Sequence, residues 1–103
     1  MYGNPCEIDK IRKLTNKFSI YLIEDCAQSL GSKYNNKHTG TNGDISIFSF
    51  GYSKNLDVGE GGIILSNDVN LKNEIYEIYE KIKFSSSNID KLNLIYKKNI
   101  LNI

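Results

Sequence analysis

The 103-residue sequence has the size of one small domain, and its apolar fraction of 40% is enough for one core but not for two. A formal net charge of +1, with acids and bases interspersed, excludes the clustered positive field that nucleic acid or an anionic membrane requires. No apolar run approaches the roughly 20 residues that span a bilayer, and the start, MYGNPCEIDK, lacks the basic and apolar regions of a signal peptide, so a cytoplasmic location is the default expectation.

In chain order, Asn4, Pro5 and Glu7 predict a helix start, with Asn4 as N-cap, Pro5 at the first helical position and Glu7 reaching back. Ile8, Ile11, Leu14 and Phe18 then recur at helical spacing and mark one apolar stripe. SIYLIED follows, a β-branched and aromatic run without strict alternation, as expected for a strand covered on both faces. It ends in two acids, Glu24 and Asp25, of which Glu24 reads as structural. CAQSLGSKYNNKHTG predicts a helical turn, a break at Gly31 and a polar hairpin around Asn35 and Asn36. GDISIFSF and GGIILSND read as two further strands, the second closed by an Asn-Asp turn.

From Leu71 to Lys83 the spacing of Leu71, Ile75, Ile78 and Ile82 predicts a helix, and FSSSN breaks the pattern. Residues 1–83 thus read as part of one domain and 84–103 as a helical or frayed tail. Cys6 and Cys26 form no CxxC pair and the chain has one histidine, His38, so metal-ligand spacing is absent; both cysteines read as packing residues and His38 as a surface residue.

Helix, strand, hairpin, strand, strand, helix is the grammar of an α/β domain with a mostly parallel sheet and flanking helices. The strand that should precede the first helix is missing or reduced to Met1 and Tyr2, and three short strands leave little margin over conformational entropy. A piece of a larger domain is expected. In such sheets ligands collect outside the carboxyl ends of the strands. Asp25 and Gln28 stand at one such end, and a carboxylate there needs a cation, either Lys54 or a ligand. If the strands bearing Asp25 and Ser49 share a sheet, then Asp25, Gln28, Ser49 and Lys54 face one crevice.

Three blocks, YGNPCEIDKI, IEDCAQSLGSKYNNKHTGTNGDISIFSF and SKNLDVGEGGIILSND, resemble in order and spacing the central third of the DegT/DnrJ/StrS nucleotide-sugar aminotransferases, over about residues 2–75. The resemblance implies a fragment of the large domain of a fold type I transferase dependent on pyridoxal phosphate. By position it makes Asp25 the carboxylate facing the pyridinium nitrogen, Gln28 a contact of the phenolic oxygen, Ser49 a phosphate donor and Lys54 the Schiff-base residue. It implies a nucleotide-sugar substrate, L-glutamate as amino donor, and a homodimer when full length. The GEGG spacing is similar to the perosamine-type branch, although Gly51, Tyr52 and Ser53 replace the usual residues before the lysine. The segments that bind phosphate and stack on the ring would lie upstream, so the chain alone is expected to be inactive or nearly so. The alternative is a truncated, inactive remnant or an interaction partner of an intact homologue.

Overall fold

The computed structural model describes residues 2–81. Helix α1 (Ile8–Phe18) begins later than the Asn4-Pro5-Glu7 pattern predicts: Glu7 itself is the cap residue, and no side chain caps the helix. The Glu7 carboxylate instead takes Lys10 Nζ at 2.6 Å. Asn4 and Pro5 stay out of the helix because the chain before it is tied elsewhere. Tyr2 N–H donates to Gln28 Oε1 at 3.2 Å, and the Ser32 hydroxyl donates to the Gly3 carbonyl at 2.8 Å. Gly3, at φ 77°, presses so close to the turn after the first strand that a Cβ would lie 2.8 Å from the Gln28 carbonyl oxygen. At its other end α1 stops at Ser19, in the left-handed region at φ 52°, with its N–H returning to Asn16.

Strands β1 (Ile23–Asp25), β4 (Ile45–Ser49) and β5 (Gly62–Ser66) form one sheet in the order β1-β4-β5. Between β1 and β4, β2 (Lys33–Tyr34) and β3 (Lys37–His38) make a separate antiparallel hairpin. Its turn is the predicted Asn35-Asn36 pair, both at positive φ (48° and 63°), the conformation asparagine tolerates in tight hairpins. β1 runs parallel to β4 with Asp25 opposite Ile47, whereas β4 runs antiparallel to β5 with Ser49 opposite Gly62. The α/β class therefore holds, but the sheet is mixed rather than mostly parallel. A parallel return needs a long crossover, usually helical. Here Phe50 N–H bonds to the Gly61 carbonyl and Val58 N–H to the Phe50 carbonyl, which turns the chain straight back.

The first strand also departs from the pattern of full burial. Leu22, Glu24 and Cys26 are buried while Tyr21, Ile23 and Asp25 are exposed, a period of two that marks a strand with one covered face. Helix α2 (Val69–Lys81) starts just before Leu71 because Asp68 Oδ1 accepts from the N–H groups of Asn70 (2.7 Å) and Leu71 (3.2 Å), an N-cap. On α2 Leu71 is buried, Ile75 half-buried and Ile78 exposed, so the packing of the predicted stripe fades along the helix. Ile82 and the predicted tail, 84–103, lie outside the described residues. Among the described residues the buried apolar core is Ile8, Leu22, Cys26 and Leu71, while Ile11, Leu14 and Phe18 of α1 are exposed.

Candidate active site

Parallel pairing puts the carboxyl ends of β1 and β4 on the same sheet edge, so Asp25 and the chain leaving Ser49 emerge together. Beyond Ser49 the chain makes a turn in which Lys54 N–H returns to the Gly51 carbonyl at 3.2 Å, with Ser53 at φ 62°. Asp57 fastens this segment, accepting from the N–H groups of Ser53 (3.2 Å) and Gly59 (2.8 Å). Asn55 Nδ2 donates to the Leu30 carbonyl at 3.2 Å and so docks the lysine turn against the turn after β1. Asp25, Gln28 and Lys54 consequently line one cleft of about 550 Å³, walled on its other side by the Gly3–Cys6 segment and by Ile8 and Ile11 of α1.

Three of the four residues expected at the site are thus brought to one cleft. Ser49 is not among the lining residues; its Oγ accepts from Gly51 N–H at 3.4 Å, at the base of the lysine turn. Asp25 does not pair with Lys54. Its Oδ1 accepts from Ala27 N–H at 3.0 Å, closing the turn that carries Gln28, and the ion pairs among the described residues are Lys10–Glu7 and Arg12–Asp44. The Asp25 carboxylate is exposed and lines the cleft outside those ion pairs. Lys54 is half-buried. The Asp25 carboxylate, the Gln28 amide and the Lys54 amine, among the groups lining a cleft of this size, fit a planar ligand that bears both a cation and an aldehyde.

Several residues that shape the site carry no motif of their own. Asp44 holds Arg12 in a two-pronged ion pair at 2.7 and 2.8 Å and accepts Leu22 N–H at 2.7 Å, fixing α1 to the start of β1. The Arg12 guanidinium, and after it the Leu22 N–H, hold the Asp44 carboxyl down from 3.8 to about 2. Glu24, buried, accepts three backbone N–H groups of the Gly40–Gly43 loop, which makes the structural reading of that acid concrete. The TGTNGD run was the available signal: glycines and an acid between strands mark backbone that must approach closely. Cys26 is buried, and desolvation pushes its thiol up, as for a packing residue; Cys6, by contrast, is exposed and lines the cleft.

A family model for the DegT/DnrJ/EryC1/StrS aminotransferases matches residues 1–93. The chain belongs to this aminotransferase family. It is 46% identical over 71 residues to the GDP-perosamine synthase of Escherichia coli O157:H7, a match covering 69% of this chain and 20% of that protein. The GDP-perosamine synthase of Vibrio cholerae is 46% identical over 67 residues, 65% of this chain and 18% of that protein. Among solved structures, the aminotransferase from Psychrobacter cryohalolentis superposes with a TM-score of 0.71 at 30% identity over 91% of this chain and 27% of its own. The chain thus spans about a fifth of the length of the curated relatives it matches. Their common fold bears out the α/β transferase architecture expected from the sequence, and no helix of the described residues is long and apolar enough to cross a membrane.

Proposed function

We propose that this chain is a segment of a pyridoxal-phosphate-dependent aminotransferase that moves an amino group from an amino acid, L-glutamate, to a keto-sugar nucleotide. The observation that carries the reading is the convergence of Asp25, Gln28 and Lys54 on one cleft within a chain of this family. Bound pyridoxal phosphate supplies an electron-poor ring that stabilises the negative charge left when a substrate carbon loses its proton. Asp25 would supply the anion that keeps the ring nitrogen protonated. The Gln28 amide would be a contact of the ring oxygen. Lys54 would be the residue that holds the cofactor through its aldehyde, and its amine would be placed to move a proton at the substrate carbon. Ser49, at the base of the lysine turn, is the phosphate donor of this segment. The remaining phosphate and stacking contacts come from polypeptide outside the segment, including a partner subunit of a homodimer.

Borohydride reduction in the presence of pyridoxal phosphate, followed by peptide mass mapping, tests the assignment. The label is expected on Lys54 of the purified chain and is lost in Lys54→Ala. Labelling spread evenly over surface lysines, unchanged by Lys54→Ala, would sink the reading. A second reading, an inactive segment that pairs with an intact homologue, is favoured by the exposed Ile11, Leu14 and Phe18 of α1. Submicromolar equilibrium binding of pyridoxal phosphate to the purified chain would argue against it.

A further inference from the structure

We infer that Glu24 is a positioning residue: its buried carboxylate, bonded to the backbone N–H groups of Gly40, Asn42 and Gly43, fixes the orientation of the neighbouring Asp25 at the cleft. What Asp25 faces there rests on the proposed function; the tether itself does not.

β1 is three residues long and occupies an outer position in the sheet, hydrogen-bonded to β4 alone among the described strands. So short a strand with one neighbour is free to roll about its line of hydrogen bonds unless something holds its side chains. Glu24 holds it. Oε1 accepts from Asn42 N–H at 2.7 Å and Gly43 N–H at 2.5 Å, and Oε2 from Gly40 N–H at 2.9 Å. These are charge-assisted bonds to backbone, each stronger than a neutral pair.

The loop that receives Glu24 is itself closely packed. A Cβ at Gly40 would lie 2.5 Å from Phe48 Cζ, and one at Gly43 would lie 2.8 Å from the Leu22 carbonyl oxygen. The next residue, Asp44, is clamped to Arg12 and to Leu22 N–H. Glu24 is therefore anchored to the rigid base of the fold rather than to a mobile flap. Successive strand side chains point to opposite faces, so with Glu24 turned inward Asp25 must turn outward. A roll of β1 that freed Glu24 would carry Asp25 away from Gln28 and Lys54, and small misplacements of that kind cost rate steeply. The same tether commits one of the two adjacent acids that line the cleft to backbone donors and leaves Asp25 as the exposed one.

Amide hydrogen exchange by NMR on the 103-residue chain tests this without cofactor. In Glu24→Ala, Gly40, Asn42 and Gly43 are expected to exchange about tenfold faster or more, the loss of one charge-assisted bond each. Ala27, whose N–H is held by Asp25 Oδ1, is expected to accelerate with them, while Leu71 of α2 does not change. Faster loop amides with an unchanged Ala27 would make Glu24 a staple of the loop only and overturn the inference; no acceleration would overturn the tether as well. Should Glu24→Ala not fold, Glu24→Gln keeps one carbonyl oxygen for Asn42 and Gly43, so acceleration is expected at Gly40 and Ala27 alone, and a uniform response or none overturns the proposal. In borohydride labelling with pyridoxal phosphate, yield at Lys54 is expected to fall several-fold in the same variant, and wild-type yield there overturns the positioning role. Failure of the wild-type chain to label would sink the cofactor assignment and leave the exchange result standing.

Discussion

The base of the sheet and the lysine segment are built in opposite ways. At the base, two carboxylates close on backbone and on a guanidinium: Glu24 takes three N–H groups, and Asp44 takes Arg12 and Leu22 N–H. In the lysine segment, residues 50–61, the bonds are mostly local and exposed, with Asp57 bridging its own neighbours and Asn55 to the Leu30 carbonyl as the long-range exception. The difference teaches where this chain places rigidity. The part that orients Asp25 is held by long-range, charge-assisted bonds, and the part that carries the Lys54 amine is held mainly by a turn. Energetic sensitivity should be concentrated in the first and chemical sensitivity in the second.

The largest effect should come from breaking the Asp44 clamp. Asp44→Ala strands a partly buried guanidinium and removes the acceptor of Leu22 N–H, and is expected to cost about 3 kcal/mol, read as a shift of the urea midpoint. A loss below about 1 kcal/mol would erase the contrast between the two regions.

The same clamp sets an acid limb. The Asp44 carboxyl lies at about 2 in the folded chain, below its ordinary 3.8, so its stabilisation is complete above the unfolded value and is lost as pH falls from about 4 toward 2. The contribution at stake is about 2 kcal/mol. Urea midpoints measured across that window should fall in the wild type and stay flatter in Asp44→Asn; parallel curves would mean that Arg12 does not hold this carboxylate in solution.

Two glycines sharpen the comparison because they share a backbone conformation and differ in surroundings. Gly40 (φ 83°) sits in the base loop with Phe48 against the place of its Cβ, and Gly59 (φ 88°) sits in the lysine segment with nothing within 4 Å. Both pay for left-handed backbone when changed to alanine, about 1 kcal/mol. Gly40→Ala must in addition displace the Phe48 ring and is expected to cost about 2 kcal/mol in all. Equal thermal or urea shifts for the two variants would show the base loop to be as yielding as the lysine turn.

How much of this was legible beforehand follows the range of the interactions. Local chemistry could be read: the Asn35-Asn36 turn, the three strands of the sheet, the α2 periodicity and the placement of Asp25, Gln28 and Lys54 near one edge. The antiparallel return of β5 was not legible, because it depends on Phe50 meeting Gly61 and Val58 across the lysine segment. Nor was the late start of α1, since Asn4 and Pro5 are held out by contacts from Tyr2 and Gly3 to Gln28 and Ser32. Of the two cations that charge alone offered Asp25, Lys54 or a ligand, Lys54 forms no ion pair with it, and Asp25 Oδ1 instead accepts the Ala27 N–H two residues on. Ser49 stands at the same strand end as Asp25 but outside the residues lining the cleft, its Oγ accepting from Gly51 N–H at the base of the lysine turn, a local bond that the spacing of the motif does not reveal.

The smallest expected effect on stability is at the residue expected to matter most for chemistry. Lys54 is half-buried, and the turn around it is made by its backbone N–H to the Gly51 carbonyl, which an alanine keeps. Asp25 draws its hydrogen bond from Ala27 and not from the Lys54 amine, so removing that amine leaves no partner stranded. Lys54→Ala should therefore move the urea midpoint by less than about 0.5 kcal/mol while abolishing the borohydride-fixed label. A destabilisation above 1 kcal/mol would mean that the amine holds the fold together, as a structural cation does, and the division between a rigid base that orients and a loosely held turn that reacts would fail at its central residue.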